Sequence, residues 1–321
     1  MASSSTNQGS AAATTISGLH SDIIESHILT KFDGPSLASL ASTSNLLHSL
    51  CSKQSLWKHI CDSTWNSVKH PLVQRTISSF PGGYRSFYSD SFPVLRASSG
   101  QGSLGCQVET TELISAVDLR YGNDPVYSKV KVTDTNASSF AGSLFYVDLI
   151  DHKENVEIPI EYEGDENILM SKLEDNLTLS WIVIDPVLKR AANVSSLRPV
   201  SLRPNCDKTG IEVTYATILW GDCCGIDTAE SVECRLVAKF CCEKGNSIEL
   251  RELSLCLVDM VRWRLNGEMS LRILKEAMEN GERRKENGQG KEYAKNLDCR
   301  RQRVVFWLFL AIFLISLLWF A

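Results

Sequence analysis

Residues 16–62 read ISGLHSDIIESHILTKFDGPSLASLASTSNLLHSLCSKQSLWKHICD, and this stretch decides how the chain is organised. Its apolar residues recur at the three- and four-residue spacing of an amphipathic helix, in three successive groups. Either Ser21 or Asp22 suits the N-cap of the first helix, and the Asp-Gly-Pro sequence at 33–35 ends it and starts the next. Three short helices form too small a core to be stable alone, so we expect this module to rest on a partner.

The composition is that of an ordinary globular protein. The chain has 321 residues, of which 43% are hydrophobic and 22% charged, enough for one large or two modest domains. Its formal net charge of -5 disfavours nucleic acid as the main partner. A mean hydropathy of -0.09 excludes a protein that crosses a membrane many times.

From about residue 111 to residue 262 the hydrophobic pattern changes to an alternation with period two, which is typical of β-strands. Around Ile211 to Leu219 both faces carry apolar residues, which predicts a buried, central strand. The runs 232–242 and 248–260 predict a hairpin, and a shift of apolar parity in its second arm predicts a bulge. A short amphipathic helix is expected at 270–278. The strands lack intervening helical patterns, so we predict an α+β fold with an antiparallel sandwich or barrel.

The chain ends with VVFWLFLAIFLISLLWFA, residues Val304 to Ala321. As a helix these 18 residues would be about 27 Å long, close to the hydrocarbon thickness of a bilayer. A buried core helix is the alternative, but the segment is apolar on all sides. Arg300, Arg301 and Arg303 precede it, which places that flank in the cytosol. We therefore expect a C-terminal transmembrane helix in a single-pass, tail-anchored protein with its bulk in the cytosol, and the endoplasmic reticulum is the favoured membrane.

The eleven cysteines do not form a metal-binding pattern. In the cytosol they should stay reduced. The adjacent pairs Cys223-Cys224 and Cys241-Cys242 lack the C-x-x-C spacing of a metal site, so buried core thiols are expected instead. Cys299, beside the predicted membrane segment, suits palmitoylation.

A search for catalytic motifs yields one weak match. Residues 100–105, GQGSLG, fit G-x-G-x-x-G. However, Phe92-Pro93 precedes them where a strand is needed, so we expect a flexible loop rather than a dinucleotide site. The sequence holds no G-x-S-x-G, H-E-x-x-H or P-loop motif. We therefore expect no enzyme activity, no catalytic residue, no metal site and no cofactor.

The helical module resembles the F-box, the adaptor-binding motif of SCF ubiquitin ligases. LHSDIIESHIL at 19–29 is similar to the family's Leu-Pro-x-Asp and its following apolar residues, and LASLASTSN at 37–45 to its Leu-x-x-Leu-x-x-Val-Ser pattern. LWKHIC at 56–61 is similar to Leu-Trp-x-x-Leu-Cys. His20 replaces the usual proline, and Leu47 stands where tryptophan is usual. Later runs at 77–87 and 179–186 look like a group of plant F-box proteins, so the resemblance covers most of the chain.

The resemblance implies a function. An F-box lays apolar helix faces on a Skp-type adaptor, which joins it to cullin and the RING subunit. The implied adaptor-binding residues are Leu19, Asp22, Ile23, Ile24, Ile28, Leu37 and Leu40, with Asp22 as the helix-start cap. Some of them could instead form the internal core of the module. The chain would be the non-catalytic substrate receptor of an SCF ligase, binding an unknown protein target through its β-rich region and held on a membrane by its tail. The alternative is a membrane-anchored interaction module acting outside a ubiquitin ligase.

Together these patterns divide the chain into six parts. They are a disordered lead-in at 1–15, the F-box at 16–62, a connector with a Gly/Ser loop at 63–110, a β-rich substrate-binding domain with a terminal helix at 111–280, a polar basic linker at 281–303 and a transmembrane tail anchor at 304–321.

Overall fold

The computed structural model describes most of the chain between residues 20 and 283. The described residues are 20–93, 95–96, 109–151, 154, 156–158, 160, 164–205, 210–221, 230–242 and 248–283. The chain divides into two compact units, Met1–Thr64 and Trp65–Ala321. The domain boundaries given above remain predictions.

The described part of the first unit is helical. Its elements are α1 (Ser21–Ile23), which continues into a π-helical turn (Ile24–Ile28) and a 3₁₀ turn (Leu29–Lys31), then α2 (Gly34–Ala41), α3 (Asn45–Cys51) and α4 (Gln54–Thr64). The Asp33 carboxylate accepts a hydrogen bond from the Ser36 backbone N–H at 3.0 Å, and the Ser44 hydroxyl accepts one from the Leu47 N–H at 3.3 Å. These side chains fix where α2 and α3 begin, because each satisfies an amide that a helix start leaves unpaired.

The second unit begins with helices, in a segment that was predicted to be a connector. They are a 3₁₀ turn (Asn66–Lys69), α5 (Pro71–Ser78) and α6 (Gly83–Ser91). Gly83 has a φ of +57°, a conformation that glycine adopts readily, and it lets the chain turn into α6. Trp65 packs edge-on against Phe87 with ring centroids 5.9 Å apart. The aromatic residues of this run therefore form a packed helical layer.

The rest of the described second unit is rich in β-strands. The strands are β1 (Leu95–Arg96), β2 (Glu112–Tyr121), β3 (Asp124–Asp134), β4 (Val147–Asp148), β5 (Val156–Ile158), β6 (Leu177–Asp185), β7 (Arg190–Asn193), β8 (Ser201–Pro204), β9 (Gly210–Gly221), β10 (Glu230–Cys242), β11 (Ile248–Val258) and β12 (Glu282–Arg283), with helices α7 (Glu166–Asn176) and α8 (Gly267–Asn280). Every pairing among the described strands is antiparallel. The predicted antiparallel β-rich domain is confirmed.

Two main sheets share one core. The smaller has the order β3-β2-β6-β7 and the larger β4-β11-β10-β9-β8, with β5 also paired to β11. Val117 on β2, Trp181 on β6 and Leu236 on β10 are fully buried in a single hydrophobic cluster. Alternate residues of each strand point into this cluster, as a period of two requires. Because the two sheets are separate and share their inner faces, the domain is a sandwich rather than a barrel.

The predicted hairpin and bulge are found at β10 and β11. Lys239 pairs with Glu252 and Phe240 pairs with Leu250, so Arg251 is an extra residue in β11. An extra residue reverses which side chains face the core. This reversal accounts for the shift of apolar parity in the second arm of the hairpin.

Buried carboxylates fasten the helical layer to the smaller sheet. Asp118 on β2 accepts hydrogen bonds from the Ser67 backbone N–H at 2.9 Å and from the hydroxyls of Ser67 and Ser128 at 2.5 and 2.7 Å. Asp90 in α6 accepts two bonds from the Arg190 guanidinium of β7, at 2.8 and 3.0 Å. Burial raises the pKa of Asp118, although its hydrogen bonds favour the charged form. These polar anchors fix one orientation of the helices, because a buried carboxylate is costly without donors.

The prediction of a membrane-spanning helix is corrected by the structure. No helix of the described residues is long and apolar enough to cross a membrane. The longest of them, α8, has 14 residues, which is about 21 Å, short of the roughly 30 Å that a span needs. The fold is therefore helices followed by an antiparallel β-rich domain, and the prediction of a single-pass, tail-anchored protein is corrected with it. The segment 304–321 itself lies outside the described residues.

Candidate functional site

The predicted adaptor-binding residues fall into two groups by exposure. Ile24 and Leu37 are fully buried, so in this conformation their side chains are interior. Ile23 is 47% exposed, and Ile28 and Leu40 are half-buried. Apolar atoms of these last three side chains therefore remain open to a partner. Leu19 lies outside the described residues.

The helix start differs from the prediction. The N-cap is His20, whose backbone is extended (φ -62°, ψ 137°) and whose Nδ1 accepts from the Asp22 backbone N–H at 3.4 Å. Asp22 lies in the first turn with an exposed carboxylate. The capping role therefore belongs to His20 and not to Asp22, because the imidazole nitrogen faces the unpaired amide. A carboxylate in the first turn still favours the helix through its dipole.

The Leu-Trp-x-x-Ile-Cys run of α4 supplies the interior of the first unit. Leu56, Trp57, Ile60 and Cys61 are all buried. The Trp57 indole Nε1 donates to the Cys51 carbonyl oxygen at 2.7 Å, which ties α4 to the end of α3. Burial raises the pKa of the Cys61 thiol, so the thiol stays protonated and packs as a small apolar group.

Two exposed apolar residues of the first unit were not predicted from the sequence. Phe32 and Leu46 keep more than a third of their surface in water. Phe32 directly precedes the Asp33 cap, where an apolar residue usually packs back on its own helix. Leu46 stands next to Leu47, and the pattern does not show which of the two is covered. Together with Ile23, the first unit therefore exposes three large apolar side chains among its described residues.

The ion pairs of the first unit contribute little to its stability. Lys53 forms an ion pair with Glu25, and Lys58 lies 3.9 Å from Asp62 one helical turn on. Partly exposed pairs of this kind contribute about 0–1 kcal/mol each. Among the residues described, no group of three or more His, Cys, Asp or Glu side chains could hold a metal ion. The pair Cys223-Cys224 and the predicted palmitoylation site at Cys299 lie outside those residues.

Three known proteins of similar sequence come from the plant Arabidopsis thaliana. The chain is 37% identical over 292 residues to F-box protein At2g27310 of Arabidopsis thaliana, covering 88% of this chain and 86% of that protein. It is 39% identical over 285 residues to F-box protein At3g44326 of the same plant, covering 87% and 78%. It is 40% identical over 289 residues to Probable F-box protein At2g36090, also from Arabidopsis thaliana, covering 88% and 83%. No protein-family model and no solved structure matches the chain.

The similarity extends far beyond the helical module. An alignment of 292 residues cannot be contained in the first unit, Met1–Thr64, so it includes the β-rich part of the chain. Because 88% of this chain is covered, the similarity also reaches beyond Trp65–Ala321 into the first unit. With this identity over most of both lengths, the chain belongs to the F-box protein family.

Proposed function

We propose that this protein is the substrate-receptor subunit of an SCF-type ubiquitin ligase. In this role the first unit binds a Skp-type adaptor, which joins it to cullin and the RING subunit. The β-rich unit binds a protein substrate. The chain itself catalyses no step; it holds a substrate lysine near a ubiquitin-loaded enzyme bound elsewhere in the complex. Family membership supports this proposal, and the observation that carries it is the exposed apolar surface of the first unit.

The proposed adaptor contacts are the residues whose apolar atoms are accessible. Ile23 and Phe32 are exposed, and Ile28 and Leu40 are half-buried. Covering the rest of one such side chain is worth about 1 kcal/mol, because full burial of an Ile or Phe is worth about 1.5–3 kcal/mol. A handful of these contacts supports a stable complex, since a few residues usually carry most of the binding energy.

The buried residues have a different part in this proposal. Ile24 and Leu37 act as the scaffold that holds the contact residues in place, since their side chains have no exposed surface to offer. Replacing either should weaken adaptor binding only through loss of folding.

The test measures adaptor binding by the purified full chain. Ile23→Asp places a charge within the proposed contact and should weaken binding at least about tenfold, because an unpaired charge would be buried. The matched control is Val187→Asp, which changes an exposed apolar residue of the second unit and should leave the affinity unchanged. Unchanged binding by Ile23→Asp would remove that residue from the interface.

A second measurement addresses the ligase role itself. The full chain, the adaptor, cullin and the RING subunit are mixed and separated by size. Co-migration of all four supports the proposed function. Adaptor binding without cullin would contradict it and assign the chain to an interaction role outside the ligase.

A further inference from the structure

A hydrogen-bonded turn connects β11 to the segment before α8. The Asp259 carboxylate accepts hydrogen bonds from the backbone N–H groups of Val261 and Trp263 at 2.9 and 2.8 Å. The Asp259 N–H donates to the Trp263 carbonyl oxygen at 3.0 Å, and the Arg262 N–H donates to that of Asp259 at 3.0 Å. Four bonds within five residues hold the backbone in one conformation.

The turn is also anchored in the sheet. Arg264 bridges to Val258, and the Leu265 N–H donates to the Leu257 carbonyl oxygen at 2.9 Å. The Phe145 N–H in turn donates to the Leu265 carbonyl oxygen at 2.9 Å. Leu265 is buried in the shared core. The segment that carries the turn is therefore part of the folded sandwich.

Large apolar side chains stand in water on these paired segments. Trp263 is 75% exposed and Leu144 is 60% exposed, and Tyr146 and Val261 are also exposed. We call these four residues, together with Arg264, the Trp263 patch. Trp, Tyr and Arg are the residue types enriched in binding hot spots, and a backbone fixed before binding lowers the entropic cost of association.

The patch also carries a positive charge. The Arg264 guanidinium lies over the Tyr146 ring, 5.0 Å from its centroid, and within the described part of the chain no carboxylate forms an ion pair with it. Two nearby carboxylates already have hydrogen-bond partners of their own. Glu252 is paired with Lys239 and also accepts from the Tyr146 hydroxyl at 3.0 Å, and Asp259 is used by the turn. The exposed side chains that define the Trp263 patch are thus four apolar or aromatic groups and one cation.

We propose that the Trp263 patch is the substrate-docking site, and that it binds an acidic segment carrying apolar side chains. Charge complementarity selects the acidic partner, because Arg264 would pair with a carboxylate while Trp263 and Leu144 cover apolar groups. This inference rests on the proposed function and names the class of segment that the β-rich unit recognises.

The test uses short fluorescein-labelled peptides and the purified full chain. One peptide alternates Glu with Leu and Phe, a second replaces Glu by Lys, and a third replaces Leu and Phe by Ser. The first should bind best, and its affinity should fall as salt is raised. Trp263→Ala should weaken it at least about tenfold, as expected for a hot-spot residue. The control Val187→Ala changes another exposed apolar residue and should have no effect.

A charge reversal makes the test specific. Arg264→Glu should reverse the preference, so that the Lys peptide binds better than the Glu peptide, whereas Arg75→Glu, an exposed arginine on α5, should not. Equal binding of the Glu and Lys peptides by the natural chain, or unchanged affinity in Trp263→Ala, overturns the inference. Adaptor binding is measured on the same samples. If it is kept while peptide binding fails, the docking site is wrong and the proposed function stands; if adaptor binding fails in the natural chain, the proposed function is wrong.

Discussion

The two units use apolar side chains in different ways. The first unit buries a short set of them, including Leu29, Leu50 and Trp57, and leaves Ile23 and Phe32 in water. The second buries a large cluster that two sheets and two helices share. It also places carboxylates such as Asp118 and Asp90 inside the protein, each with several donors.

This difference indicates how stability and binding surface are divided between the two units. A unit of about 45 described residues has little area to bury, so its stability is small and exposed apolar surface is available to a partner. The second unit, with two sheets and a helical layer, buries a much larger apolar area, and its buried polar anchors fix its geometry. We therefore expect the stability of the first unit to depend on its partner. The second unit is expected to keep its surface in one conformation without a partner.

The largest expected effect is in the shared core. Trp181 is fully buried between the sheets, and its indole Nε1 donates to the Ser115 hydroxyl at 3.1 Å. Trp181→Ala should lower the free energy of unfolding by about 3–5 kcal/mol, because it opens a large cavity. Hydrogen exchange of peptides from β2, β6 and β10 measures the loss.

The control for this change is Ser115→Ala, which removes only the partner of the indole and should cost about 1–2 kcal/mol. A loss below about 1 kcal/mol for Trp181→Ala would mean that the sheets collapse around the gap, and that close packing is not what stabilises the sandwich.

The sandwich could be predicted because strand alternation is a direct consequence of backbone geometry. Trp181 and Val183 lie two residues apart on one buried face, and the alternation of apolar residues in the sequence predicts this. The helical layer was missed for a physical reason. The run Phe80-Pro81-Gly82-Gly83-Tyr84 contains the residues of a loop, and only tertiary packing of its aromatic rings shows that helices flank it. Helix α7 was missed because it buries only Leu169 and Leu173.

The contact surface could be predicted only in part. Ile23 and Ile24 are neighbours of the same type, and one is exposed while the other is fully buried. In a module whose helices have apolar residues on two faces, spacing does not show which face is interior. The Trp263 turn carries no sequence signal beyond its composition, because Asp259 caps amides that only a folded turn brings together.

The next prediction tests the division of roles within the first unit. Ile24→Ala should destabilise the unit by about 2–4 kcal/mol, because the side chain is fully buried. Ile23→Ala should cost less than about 1 kcal/mol of stability but should weaken adaptor binding. Hydrogen exchange of peptides from α1 and α2 measures the first effect, and titration with the adaptor measures the second. The reverse ranking of stabilities would contradict the assignment of Ile24 to the interior.

A smaller effect is expected at the polar anchor of the second unit. Asp118→Ala leaves the buried Ser67 N–H without its acceptor and should cost about 1–3 kcal/mol. Asp118→Asn keeps an acceptor and the shape of the side chain, and it serves as the matched variant for a pH series.

The pH dependence of Asp118 has a definite sign. Burial raises its pKa in the folded state above the ordinary 3.8, so the folded protein takes up the proton at a higher pH than the unfolded chain. As the pH falls from neutral through the folded pKa toward 3.8, the natural chain should therefore gain stability relative to Asp118→Asn. Urea unfolding of both proteins across that range measures the difference. A relative loss of stability in acid would show that the hydrogen bonds outweigh burial.

The smallest predicted effect concerns one of the two residues that depart from the F-box pattern. His20 stands where the family has proline, yet its φ is already -62°, within the range that a proline ring imposes. His20→Pro should therefore stabilise the first unit by about 0.5 kcal/mol, since it restricts the unfolded chain more than the folded one. The imidazole hydrogen bond that it removes is long, at 3.4 Å, so its loss offsets little of this gain.

His20→Ala separates the two contributions, because it removes the same bond without restricting the backbone. Thermal unfolding compares the natural chain with both variants. If His20→Pro destabilises the unit more than His20→Ala does, then the backbone at this helix start does not accommodate a proline ring.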